Sequence, residues 1–270
     1  MALTKDQKKA FDTELKDFTA YVEELRKEVN LYKIQMKKSK AMEPYYQLAL
    51  VLNSIRLINT CLKVNELSVN MLQLKNENFL NIARKEVYSI ISSIEKIVGS
   101  DFENGLDENR ELLDTIPEFN PLQRLNFIKA LRHAIKQIID SYGPNSKWKW
   151  SWPEIHFKLA VLAKNLFDFR AYEKENDLEN PNYYIRKEYY DLIIELSNHA
   201  AQEYNFKYEQ STKDVGDLRK SVALMEMNRK IFQITGDTED LGKTKTRIEA
   251  INAKIDALEN EKNKTKKPKK

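Results

Sequence analysis

Few residues in this 270-residue chain have the types that do chemistry: one cysteine, Cys61, and three histidines, His133, His156 and His199, among many carboxylates. The most suggestive set is Asp191, Glu195, His199 and Glu203, spaced at i, i+4, i+8 and i+12 and so on one stripe of a helix. Carboxylates and imidazole on one stripe can ligate a metal. Di-metal sites in helical bundles, however, use Glu-x-x-His pairs from two helices, and this chain has no Glu-x-x-His. Lys187 and Lys207 stand four residues from Asp191 and from Glu203, where ordinary helical ion pairs form. The expectation is a solvated charged stripe, with no metal and no cofactor. His133 follows Arg132 without an acidic neighbour at helical spacing, and His156 sits in the first turn of a helix after Glu154.

Nucleophilic and phosphate chemistry find little support. Cys61 lies in an apolar run with no histidine nearby in sequence, and no Gly-x-Ser-x-Gly elbow occurs. Gly242-Lys243-Thr244 resembles the end of a phosphate-binding loop, and Gly236 stands six residues before Gly242 where that loop needs five. A helical pattern surrounds it, so a helix cap and polar turn are expected instead. No catalytic residues are assigned.

The remaining candidates are surfaces. Lys147, Trp148, Lys149 and Trp150 alternate cation and indole, a pattern that can stack on unpaired bases while the cations meet phosphate. The same residues suit a membrane interface or a protein anchor, or a staple in which Trp150 and Trp152 lock one helix onto another. The last nine residues, KNKTKKPKK, hold six lysines. Subtracting those six from the net charge of +4 leaves the rest of the chain at −2, so the basic character belongs to a tail. That weakens the case for a basic nucleic-acid-binding fold.

These residues need elements to position them, and the composition points to helices. Six glycines and seven prolines are too few for a sheet protein with a turn every 8–12 residues. The run Tyr45–Leu62, YYQLALVLNSIRLINTCL, is apolar on nearly every side of a helix and so must be surrounded. It is slightly short for a bilayer and carries Gln47, Asn53, Arg56 and Asn59, so a buried helix ending near Lys63 is expected. Before it, Phe11, Leu15, Phe18, Val22, Leu25, Val29, Tyr32 and Met36 keep a 4-3 spacing over four heptads. That seam meets another helix. Packing against the next helix of the same chain is favoured over a dimer, because aromatic residues occupy many positions where parallel dimers prefer leucine.

Further helices are expected over about 66–98, 108–115, 122–142, 151–174, 181–210, 214–235 and from 238. Thr4 is an N-cap, Ser151 with Glu154 a capping box, and Gly99 and Gly236 are C-caps. The fold class is therefore all-α, a long antiparallel bundle of about eight or nine helices. It divides at Gly143-Pro144 into 1–142 and 147–261 with a disordered lysine-rich tail 262–270, or forms one domain over 4–261. Without an apolar leader or span the expected location is cytoplasmic. The expected function is a non-enzymatic scaffold or adaptor working through protein–protein contacts, self-association included. An RNA- or DNA-associated accessory protein is the alternative. A metal-dependent hydrolase on Asp191, Glu195 and His199 is the weakest reading.

Overall fold

The computed structural model describes residues 4–101, 110–175 and 177–266, and the described residues form ten α-helices and no strand. The chain divides into two compact units, Met1–Gly99 with Glu111–Lys149, and Ser100–Arg110 with Trp150–Lys270. No described helix is long and apolar enough to cross a membrane.

The first unit is built on α1 (Lys5–Lys38), α2 (Glu43–Leu72), α3 (Glu77–Val98) and α5 (Pro121–Tyr142), with the one-turn α4 (Arg110–Leu113) leading into α5. Thr4 caps α1 in a full capping box. Its hydroxyl accepts from the Gln7 backbone at 3.2 Å, and the Gln7 side chain accepts from the Thr4 backbone at 3.0 Å. Of the heptad seam, Phe11, Val22 and Leu25 are buried and Leu15, Phe18, Val29, Tyr32 and Met36 half-buried, while Tyr21, Leu31 and Ile34 stay exposed. Since α1 packs on α2, the buried residues of the seam meet the chain's own second helix.

The helix begun at Glu43 does not stop near Lys63 as its apolar pattern suggested. It continues to Leu72 because Val64, Asn65 and Ser68 keep facing inward, and the two polar ones tie the following reversal. Asn65 Oδ1 accepts from the Asn76 backbone at 2.9 Å, and the Ser68 hydroxyl donates to the Leu74 carbonyl at 2.8 Å. Gln73 turns the chain with φ of 56°, and Asn76 caps α3. Its Leu80, Ala83, Val87, Ile90, Ile91 and Ile94 are all buried, which gives the unit its core. α5 starts with Asn120, Pro121 and Gln123 in a second capping box. Its end is fixed by Lys75, which donates to the Tyr142 carbonyl, and by the Tyr142 hydroxyl, which donates to Asn81.

The second unit holds α6 (Trp152–Asn165), α7 (Phe169–Lys174), α8 (Tyr183–Lys207), α9 (Val215–Thr235) and α10 (Thr238–Lys266). α8 packs between α6 and α9, and α10 packs on α9. The capping box expected at Ser151 is not formed. A 3₁₀ turn over Lys149–Ser151 leaves Ser151 in a helical conformation without a side-chain cap bond. The single helix expected over 151–174 is broken at Leu166. There Phe167 turns inward onto Phe169, Tyr172 and Tyr189, with ring centroids 4.8, 5.6 and 5.2 Å away, and Asp168 restarts the chain as the cap of α7. Asp214 caps α9, and Gly236 ends it at φ of 75°. Residues 262–266 continue α10, and residues 267–270 of the lysine tail lie outside the described residues.

Candidate functional site

The helix expected to be hidden on all sides is not. α2 turns polar side chains inward and leaves an apolar stripe open. Asn53 is 2% exposed, and its amide donates to the Leu25 carbonyl at 3.1 Å and to Glu28 at 3.0 Å on α1. The buried Ser54 hydroxyl donates to Glu86 on α3 at 2.8 Å. Gln47 is buried on the same side and lines a polar groove between α1, α2 and α3. On the opposite side, Tyr45, Leu48, Leu52 and Ile55 face Phe119, Phe127 and Ala130 across an open groove of about 580 Å³. Its lining is mainly apolar, with Gln123 and Asn126 on the α5 side and Glu118 the one charged residue among the described residues that line it, and Leu52 is 58% exposed.

The groove follows from register. Tyr45, Leu48, Leu52 and Ile55 recur at i, i+3, i+7 and i+10, one face of a helix over about 15 Å of rise. Gln123, Asn126, Phe127 and Ala130, at i, i+3, i+4 and i+7, share one face of α5. Two such ridges side by side leave the groove between them.

In the second unit, His156 on α6 meets His199 and Glu203 on α8. His156 Nδ1 contacts Glu203 Oε2 directly, His199 Nε2 lies 3.8 Å from Glu203 Oε1, and the imidazole centroids are 4.8 Å apart. The other two residues of the expected stripe, Asp191 and Glu195, remain on the exposed face of α8. Lys207 does not pair with Glu203 as helical spacing suggested. Its ammonium reaches Asp217 on α9 at 2.9 Å, and Glu203 turns to His156 instead. Beside this cluster, Glu154 accepts from Lys220 and from the Tyr204 hydroxyl. Burial alone would raise the Glu154 carboxyl, but these hydrogen bonds outweigh it and hold the group below the usual carboxylate range.

The sequence matches one family over residues 7–259, nearly its whole length. The chain belongs to the TP0443 family. No curated protein and no solved structure matches it.

In this TP0443-family chain the other sequence candidates have structural partners. Trp148 lies under the Arg84 guanidinium at 3.7 Å, and Lys147 Nζ is 3.5 Å from Glu77. The Trp150 ring packs on Phe206 at 5.9 Å, and Trp152 is buried. The unit boundary falls between Lys149 and Trp150, so the alternating run is shared by two units. Gly242-Lys243-Thr244 lies within α10, where Lys243 pairs with Glu239 at 2.6 Å. Cys61 is fully buried on α2, and burial, with the nearby Glu86 charge, pushes its thiol up to about 12. His133 is exposed on α5.

The sequence reading missed both sites for the same reason. His156 and Glu203 are 47 positions apart, and the groove needs the relative placement of α2 and α5. One signal was present: Gln47, Asn53 and Ser54 interrupt the apolar run, and polar residues turned inward leave apolar ones outside.

Proposed function

We propose that this protein is a binding module, and that the groove between α2 and α5 receives the apolar face of an amphipathic helix about three turns long from a partner protein. The observation that carries this reading is the inversion of α2. A helix that spends Asn53 and Ser54 on internal hydrogen bonds and leaves Leu52 open has an apolar stripe that costs free energy in water until something covers it. Helix-in-groove recognition uses anchors at i, i+3 or i+4, and i+7, the spacing that Leu48, Leu52 and Ile55 present. A nearly uncharged wall favours an apolar contact face and leaves charged residues of the partner to the rim. The role is that of a scaffold or adaptor and not a catalyst. The single buried thiol suits the reducing cytoplasm, where we place the protein.

The test is site-specific photo-crosslinking from positions 52 and 130 in cells, followed by sequencing of the linked peptide. The reading expects a partner peptide with apolar residues at three- and four-residue spacing, lost from the Leu52→Glu and Ala130→Glu variants and kept in Leu178→Glu, an exposed position of the other unit. Crosslinking that is indifferent to the groove substitutions would overturn it.

A further inference from the structure

We propose that His156, His199 and Glu203 form a binding site for a divalent transition metal ion of the zinc and ferrous class, open to solvent on the side of His199. The groove plays no part in this argument. The three residues offer two imidazole nitrogens and one carboxylate oxygen, and these ligand atoms all lie within 4.8 Å of one another. Two imidazoles and a carboxylate match borderline transition metals, whereas calcium and magnesium sites are built of oxygen.

The scaffold suits ligation. His199 and Glu203 are one helical turn apart on α8, a spacing that puts two donors on one face, and His156 comes from the neighbouring α6. Each donor therefore sits on a packed helix, not on a loop. Tetrahedral bonds of about 2.0–2.1 Å place donors about 3.3 Å apart, so the widest pair closes by about 1.5 Å through side-chain rotation. Exposure is graded: the side chains of His156, Glu203 and His199 are 12%, 28% and 52% exposed. The ion is thus bounded by protein beneath and by water above. Three protein donors leave at least one position of a four-coordinate ion to solvent, which is the open kind of site and not the closed structural kind. The direct contact of His156 with Glu203 is what the dyad makes in the metal-free chain, and it keeps the two donors facing each other.

The experiment is calorimetric titration of the full chain, freed of metal by chelator, with zinc and separately with cobalt and calcium. The proposal expects one zinc or cobalt per chain and no comparable calcium binding. Loss of an outer-shell partner already weakens metal sites 10–100-fold, so His199→Ala should weaken zinc by about 100-fold or more. His199 is half exposed, so that variant keeps the fold, which circular dichroism verifies. Glu203→Gln should change the cobalt absorption bands, and His133→Ala, at an exposed position of the other unit, should bind as the native chain does. Absence of zinc binding at millimolar metal, equal affinity in the native chain and His199→Ala, or calcium binding as tight as zinc would each overturn the site.

Discussion

α2 and α8 hold the same rank in their units, each the helix on which the others pack, yet they differ in how many polar side chains they bury and in the apolar stripe that α2 leaves open. α8 buries Tyr189, Leu192, Ile193, Leu196, Ala200 and Tyr204 and shows solvent Asp191, Glu195 and His199. This is the ordinary amphipathic arrangement. α2 buries Gln47, Asn53, Ser54, Thr60, Asn65 and Ser68 beside Val51, Ile58 and Cys61, and shows solvent Leu52 alongside Arg56, Asn59, Lys63 and Glu66. A helix of the α8 kind is complete within its own unit, and what remains outside can serve as ligands. A helix of the α2 kind is incomplete without a covering surface. The proposed partner groove thus belongs to the first unit and the proposed ion site to the second.

The largest effect that probes this contrast is on the covered side of α2. Ile58 is fully buried, and Ile58→Ala should cost about 2–5 kcal/mol in urea denaturation. Next comes the polar inner face. Asn53→Ala removes the donor to Leu25 and Glu28 and should cost about 1–3 kcal/mol. A neutral outcome there would show that the inward polar face does not hold α1.

In the second unit the expected effect is smaller and depends on pH. Glu154 is held below its ordinary value by Lys220 and Tyr204. A carboxylate lowered in this way adds stability above its unfolded value and loses it as pH falls through the folded value. Glu154→Gln should therefore be less stable than the native chain at pH 7, by under about 1 kcal/mol for so exposed a pair, and the gap should close on acidification below the carboxylate range. The smallest effect is on the open stripe: Leu52→Ala should change stability by no more than about 0.5 kcal/mol, because Leu52 touches little in the free chain. A large loss at Leu52 would mean that the stripe is already covered.

Much of the helical layout was legible in the sequence. Thr4, Pro121, Gly99 and Gly236 mark ends that local hydrogen bonding decides, and they do so in the structure. What local patterns could not show were choices made by distant residues. Ser151-x-x-Glu154 reads as a capping box, but the turn at Lys149 gives Ser151 the wrong backbone conformation. The chain breaks at Leu166 because Phe167 finds three aromatic rings, two of them within five residues and one on α8. Glu203 at four residues from Lys207 reads as a surface ion pair, but His156 and Asp217, each on another helix, take the two partners apart. The reading of Tyr45–Leu62 as apolar on nearly every side made it a buried helix. Hydrogen bonds from Asn53 and Ser54 decide which side faces in, and no periodicity of apolar residues reports that.

The inversion of α2 is most directly tested by hydroxyl-radical footprinting of the purified chain, read residue by residue along Tyr45–Leu62. The account predicts rapid oxidation at Leu52, intermediate labelling at Leu48 and Ile55, and protection at Val51 and Ile58. Leu52 as protected as Ile58, or Ile58 as reactive as Leu52, would contradict it.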